Sequence, residues 1–318
     1  MSFSSKAKNE LSRKTSESKC CQKAELSALV RVSGTIQLVG LGRTNLLITT
    51  ENPAIARLIF VLFKKCLNIH TEIDVSKNPV LRKNNLYNIL VADATSLLKE
   101  LEIMIEEDGS TIINDGLPKN LLEKPCCKRA YIRGTFLGGG SLSDPEKSYH
   151  MEIITHRESY AEELANLINT YGLHARVVAR KKNHIVYLKE GDQIVDLLNV
   201  IGAHSALMSF ENTRIVKSMR NNINRLVNCE TANLNKMVNA AMKQKSYIEI
   251  IDKYVGLESL PDQLKEIAEI RINNTDMSLK EIGEILSPPI GKSGVNHRLR
   301  KIERLALDIM EREGIDHD

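Results

Sequence analysis

Apolar residues recur along the chain at helical spacing in some stretches and at alternate positions in others, and over the first two thirds the same succession occurs twice. Gln22 to Ser33 reads as a helix, followed by strand-like runs over Gly34 to Leu38 and Asn45 to Thr50 with a turn at Gly40 to Arg43. A helix is predicted over Asn52 to Leu67, opened by Pro53, whose missing N–H is harmless in a first turn. Strands over Ile69 to Val75 and Leu86 to Val91, with Asn78–Pro79 as a turn signal between them, and a helix from Leu97 to Glu107 complete the unit. The succession restarts with a helix over Arg129 to Gly138, strands near Ser141 and over Tyr149 to Thr155, and a helix over Glu158 to Tyr171. Strands over Ala175 to Arg180 and His184 to Leu188, turning at Lys182–Asn183, and a helix from Asp192 to Ile201 stopped by Gly202 close the second copy. Cys20 answers Cys126, Gly34 answers Gly140, Ala56 answers Ala161 and His70 answers His174, at an offset of about 105 residues, the mark of an internal repeat.

The last stretch follows a different plan. LPDQLKEIAEIRI reads as a helix with Pro261 at its start. In MSLKEIGEIL, Ser278 and Glu281 have capping-box spacing, and Leu279, Ile282, Ile285 and Leu286 form an apolar face. SPPIGK breaks that helix. KSGVNHRLRKIERLALDIM begins the next, with Ser293 as its expected N-cap and Val295, Leu299, Ile302 and Ala306 turned inward. The opposite face carries Ser293, His297, Arg300, Lys301 and Arg304, with Asn296 at its flank. Two helices across a short break, the second polar and cationic outward, predict a helix-turn-helix.

Composition changes little in this picture and excludes some classes. A length of 318 residues allows two or three domains, and 42% hydrophobic with 26% charged residues fits a globular chain. With no Trp, the core must be built mostly of Leu, Ile and Val. MSFSSKAKNELSRKTSESK has no apolar stretch of the kind a secretory signal needs, and IARLIFVLF is too short to span a bilayer. The expectation is a cytoplasmic, nucleoid-associated protein with no membrane partner. The six cysteines, Cys20, Cys21, Cys66, Cys126, Cys127 and Cys229, follow no disulfide framework and are expected reduced. Two adjacent Cys pairs invite a zinc reading, but neighbouring side chains diverge on a regular backbone and structural zinc usually takes spaced pairs. Small buried thiols are expected instead, with no metal and no cofactor.

Charge adds direction. The net value is +4, but Glu211 to Lys245 holds seven basic residues against Glu211 and Glu230, and Lys292 to Arg304 holds five against Glu303. Two basic clusters in the C-terminal third point to double-stranded DNA. In the helix-turn-helix, Arg300 suits guanine O6 and N7, Asn296 suits adenine, and His297 offers one donor. Lys292, Arg298 and Arg304 suit phosphates, and Lys280 on the preceding helix joins this DNA-binding set. For Glu211 to Lys245, two readings stand: a basic amphipathic helix placing Arg214, Arg220 and Arg225 on phosphates behind an apolar stripe of Ile215, Met219, Ile223 and Leu226, or a docking helix between domains.

The glycines of CCKRAYIRGTFLGGGSL bear on the repeat. Each glycine inside a helix costs roughly 1 kcal/mol relative to Ala, so their presence calls for close approach of another backbone. If a pseudo-twofold axis relates the halves, Gly134 and Gly138, with Ala28 matching Gly134, lie where the two first helices meet. LSALVRVSG (26 to 34) and IRGTFLGGG (132 to 140) resemble the signature helices of LAGLIDADG homing endonucleases, a family built as αββαββα repeats. That resemblance implies an acidic eighth residue in each signature, the pair holding catalytic metal. Here Ser33 and Gly139 stand at those positions, Arg31 and Leu137 at the sixth do not replace them, and Asp144 has no counterpart. No catalytic residues are expected, and metal-dependent cleavage should be absent.

Leu260 to Ala306 resembles the promoter-reading C-terminal domain of bacterial sigma factors. With KPCCKRAYIRGTFLGGGSL, NVIGAHSALMSFENTRIVKSMRNNINRLVNCETANLNK and KSGVNHRLRKI, the whole arrangement resembles the WhiA family. The expected fold class is α+β: a duplicated LAGLIDADG-like domain over 1–205 (halves about 20–110 and 126–205), a basic helical linker over 206–255, and an all-α helix-turn-helix domain over 256–318. The resemblance implies a non-enzymatic DNA-binding regulator tied to cell division and chromosome segregation, and to sporulation transcription in sporulating relatives. RNA polymerase, a sigma factor or other regulators are further partners to expect. A protein-interaction scaffold and an active endonuclease are the competing classes.

Overall fold

The computed structural model describes residues 2–40, 43–69, 71–77, 85–107 and 109–314. The Gly40 to Arg43 turn in part, His70 and the Asn78–Pro79 turn lie outside these residues. The chain forms two compact units, Met1–Ser218 and Met219–Asp318, and the division falls inside one helix.

The first unit opens with α1 (Phe3–Ser12), then α2 (Lys19–Ser33), β1 (Gly34–Gly40), β2 (Arg43–Thr50), α3 (Pro53–Leu67), β3 (Glu72–Lys77), β4 (Asn85–Val91) and α4 (Thr95–Glu100). A hairpin of β5 (Met104–Glu107) and β6 (Ser110–Ile113) leads to the second copy. That copy comprises α5 (Pro125–Gly139), β7 (Gly140–Leu142), β8 (Met151–Thr155), α6 (Glu158–Asn169), β9 (Arg176–Arg180), β10 (Asn183–Leu188) and α7 (Gly191–Ile201). The repeat is explicit in the sheets, which run β1-β2-β4-β3 and β7-β8-β10-β9, antiparallel throughout. In β2 the pleat buries Thr44, Leu46 and Ile48 on the helix side, and β8 buries Met151, Ile153 and Thr155 in the same way.

Two elements differ from the sequence reading. Leu97 to Glu107 is not one helix: α4 stops at Glu100, Glu102 takes φ 52°, and the chain turns into the β5–β6 hairpin. Gly109, at φ 76°, supplies the left-handed turn residue, and the β-branched run Thr111-Ile112-Ile113 favours a strand there. The polar N-terminus forms α1, because Ala7 and Leu11, one helical turn apart, are fully buried among the core residues.

At the centre α2 and α5 pack face to face. A Cβ added at Gly134 would run into the Glu25 carbonyl and lie 2.8 Å from the Ala28 Cβ, closer than real Cβ contacts come. The small residues therefore sit where the two backbones approach, as the repeat required. Beside them Arg133 grips Glu25 with two bonds, Nε to Oε1 at 2.8 Å and Nη2 to Oε2 at 2.6 Å. Glu25 is wholly buried. Burial pushes its carboxyl above the ordinary range, and the Arg133 guanidinium pulls the other way. Removing one partner of such a pair strands a buried charge, at about 3–5 kcal/mol.

Candidate nucleic-acid interface

The second unit is built on the end of α8 (His204–Tyr254), then α9 (Asp262–Asn273), α10 (Leu279–Ile285) and α11 (Lys292–Glu313). Its core joins Ile248, Ile251, Ile267 and Ile282 to Val295, Leu299, Ile302 and Ala306, so α11 buries the predicted face. Both halves of the capping box form: the Glu281 amide donates to Ser278 Oγ at 3.3 Å, and the Ser278 amide donates to Glu281 Oε2 at 2.7 Å. That bond holds the Glu281 carboxyl below its ordinary range.

Burying one face of α11 leaves the other in solvent. Lys292, Ser293, His297, Arg300, Lys301 and Arg304 are exposed, as is Lys280 on α10, and Asn296 is half-buried at the flank. Among the described residues Lys292, Arg300, Lys301 and Arg304 have no ion-pair partner, whereas Lys280 has Glu284 at 3.8 Å. Cations that neutralise no neighbour keep their full field for a polyanion.

Three details depart from the sequence reading. The N-cap of α11 is Gly291 and makes no side-chain cap bond, so Ser293 lies within the first turn. Ile285 is 54% exposed and takes no part in the core, since α10 ends at that residue. Arg298 is half-buried with its Nη1 3.5 Å from the Gln263 carbonyl on α9, so it stands less clear of the unit than the exposed cations of α11.

Two residues that shape the motif escaped the sequence reading. A Cβ on Gly283 would strike the Ile290 carbonyl and come within 3.1 Å of Val295 Cγ2, so the turn closes tightly only over glycine. Its isolation inside an otherwise helical pattern was the available signal. Arg271 is buried and donates to the Met277 carbonyl at 2.7 Å, fixing the approach to α10; burial lowers its pKa.

The Glu211 to Lys245 segment lies within α8. Arg214 is taken up by Asp192 at 2.5 Å and Glu211 at 2.6 Å, so this candidate phosphate contact is already satisfied. Arg220 and Arg225 are exposed, and Ile215, Met219, Ile223 and Leu226 are exposed with them.

At the C-terminal ends of α2 and α5, the positions that would carry metal-binding acids hold none. Ser33 Oγ bonds back to the Leu29 carbonyl at 2.6 Å, and Gly139 sits against Val32 and Ile154. Arg31 donates to the Asn114 and Gly116 carbonyls and lies over the Tyr160 ring at 5.5 Å, so its charge is taken up by backbone and ring. A cavity of about 280 Å³ lined by Arg31, Ile36, Ile103, Ile113, His156 and Arg157 adjoins these residues. Asp144 is exposed and accepts from the Glu146 amide in its own turn.

The other ends of the same helices hold a feature the sequence reading set aside. Cys20 and Cys21 lie in the first turn of α2 and Cys126 and Cys127 in that of α5. Packing brings the two pairs together, with the four Sγ atoms within 4.8 Å of one another. The expected divergence within each adjacent pair does not hold: the neighbouring sulfurs stay within 4.8 Å, and the helix pairing brings the second pair to them.

A duplicated LAGLIDADG-like domain without its paired acids, joined to a helix-turn-helix, defines the class. Three family profiles match in chain order: the WhiA N-terminal LAGLIDADG-like domain over residues 19–104, the WhiA LAGLIDADG-like domain over 128–220, and the WhiA C-terminal HTH domain over 223–306. A protein of Alkaliphilus metalliredigens called probable cell division protein WhiA is 54% identical over 309 residues, 96% of this chain and 98% of that protein. The protein of the same name from Clostridium novyi is 52% identical, over 97% of this chain and 98% of its own. The crystal structure of full-length WhiA from Thermatoga maritima shares the fold at a TM-score of 0.60 and 24% identity, covering 97% of this chain and 99% of that one. The chain belongs to the WhiA family.

Proposed function

We propose that this protein is a non-enzymatic DNA-binding regulator that lays α11 in the major groove of double-stranded DNA and acts in cell division and chromosome segregation. The observation that carries this reading is the outward face of α11, where Lys292, Arg300, Lys301 and Arg304 stand exposed, without acidic partners among the described residues, beside His297 and Asn296. Arg300 and Asn296 read bases, while Lys292 and Arg304 hold phosphate. The name of the relatives supports the division role. In this reading the protein works at the nucleoid in the cytoplasm, with RNA polymerase or a sigma factor as further partners, and sporulation transcription is the corresponding role in sporulating relatives.

The first sheet is poorly suited to replace α11 as the DNA surface. Its face away from buried Leu46, Ile48 and Ile89 carries Glu72 and Asp74, with Arg43 as the cation among the described strand residues.

The test is fluorescence anisotropy on DNA recovered by chromatin immunoprecipitation. Arg300→Ala is expected to lose about 1–3 kcal/mol on the recovered site and to relax preference at one base pair. Lys292→Ala should weaken all sequences alike and reduce the salt slope by about 1. Unchanged binding by both variants refutes the reader assignment. Supercoiled plasmid should stay intact with Mg²⁺ or Mn²⁺, and cleavage lost on mutation around Ser33 and Gly139 would refute the non-enzymatic assignment.

A further inference from the structure

The four-cysteine cluster lies within the first unit, at the end of the α2–α5 pair remote from Ser33 and Gly139. A tetrahedral zinc ion bound by four thiolates at about 2.3 Å spaces its sulfurs by about 3.8 Å. The observed spread of up to 4.8 Å is therefore within about 1 Å of such a site before any ion draws the sulfurs inward. Each half contributes two ligands, so an ion there would cross-link the two copies of the repeat where their central helices begin.

The surroundings suit a dianionic tetrathiolate centre. Two helix N-termini, each carrying partial positive charge, converge on the four sulfurs. Arg129 and Arg133 line a cavity of about 210 Å³ with Cys21 and Cys126. Cys21 and Cys127 are buried, Cys20 is half-buried and Cys126 is exposed, so the cluster has a closed inner side and an open route from solvent. Cys66 and Cys229 lie outside the cluster. An all-sulfur set selects a soft or borderline ion, and rules out magnesium or calcium.

We propose that Cys20, Cys21, Cys126 and Cys127 form a tetrathiolate site for one zinc ion, which clamps the two LAGLIDADG-like halves together. Binding converts four thiols and Zn²⁺ into a Zn(S-Cys)₄ centre of charge 2−, with four protons released to solvent and no change of oxidation state. Because the ligands come from both halves, the ion stabilises their folded pairing.

The test uses the full-length protein, reduced, stripped with chelator and titrated with Co²⁺. The expected result is one equivalent bound, with thiolate-to-cobalt charge-transfer absorption and intense tetrahedral visible bands that Zn²⁺ abolishes. Cys126→Ser, at an exposed position, should keep the native circular dichroism and lose the four-sulfur spectrum, as should Cys20→Ser. Cys66→Ser and Cys229→Ser should retain it. Zinc should raise the Tm of the unaltered protein and not that of Cys126→Ser. A folded, reduced protein that gives no charge-transfer band overturns the proposal. So does a band unchanged in Cys126→Ser, or non-reducing peptide mapping that finds the four sulfurs in disulfides while the reduced protein takes up no cobalt.

Discussion

Lys8 carries an amine into the packing between α1 and the central helices, 5.8 Å from the centre of the Phe136 ring. Burial brings its pKa down to about 8. The folded state therefore gives up the proton more readily than the unfolded chain, whose lysines titrate at about 10.4. Stability is reduced while pH lies below about 8 and recovers as pH rises towards the unfolded value. Lys8→Met should flatten that rise, so the stability difference between variant and parent shrinks from pH 7 to pH 10 in urea titrations. Gly134 supplies the steric counterpart. Gly134→Val is expected to cost at least about 1–3 kcal/mol, read from the urea midpoint, because the new side chain meets the Glu25 backbone rather than a movable side-chain tip. The demand for a small residue at 134 was legible in the repeat. Nothing near Lys8 in sequence reveals the ring it lies against.

At the scale of elements, the capping box of α10 ties the start of the helix-turn-helix to local sequence. Glu281 is held below its ordinary pKa by the Ser278 amide, so its contribution is present at neutral pH and is lost as pH falls below the usual carboxylate range. Glu281→Gln should lessen the acid sensitivity of this unit, followed by circular dichroism between pH 6 and pH 3. Ser278→Ala should cost about 1 kcal/mol at neutral pH in denaturant titration. Caps, breaks and alternation were readable because they act over a few residues. The Leu97 to Glu107 region misled because its apolar residues satisfy a helical period, while Gly109 and the Thr111-Ile112-Ile113 run favour a hairpin. Arg214 and Arg298 show the same boundary: their charge was visible in sequence, and the Asp192 and Gln263 partners that engage them were not.

At the scale of the molecule, the described residues form two separate apolar cores, one in each unit. Leu299→Ala should destabilise the second unit by about 2–5 kcal/mol. Hydrogen exchange with mass spectrometry should show lost protection over 260–313 and unchanged protection in β8 and β10; equal loss in both units would show a single cooperative fold. Residue identity and spacing along the chain carry the repeat and the helix-turn-helix, and residue identity set against the LAGLIDADG resemblance carries the missing acid pair. Only the tertiary structure decided that cysteines about 105 positions apart share one site, that Arg31 takes up backbone carbonyls, and which cations of α11 stay exposed. The physical reason is range: periodicity encodes which face of a helix turns inward, and packing alone selects the surface that face meets.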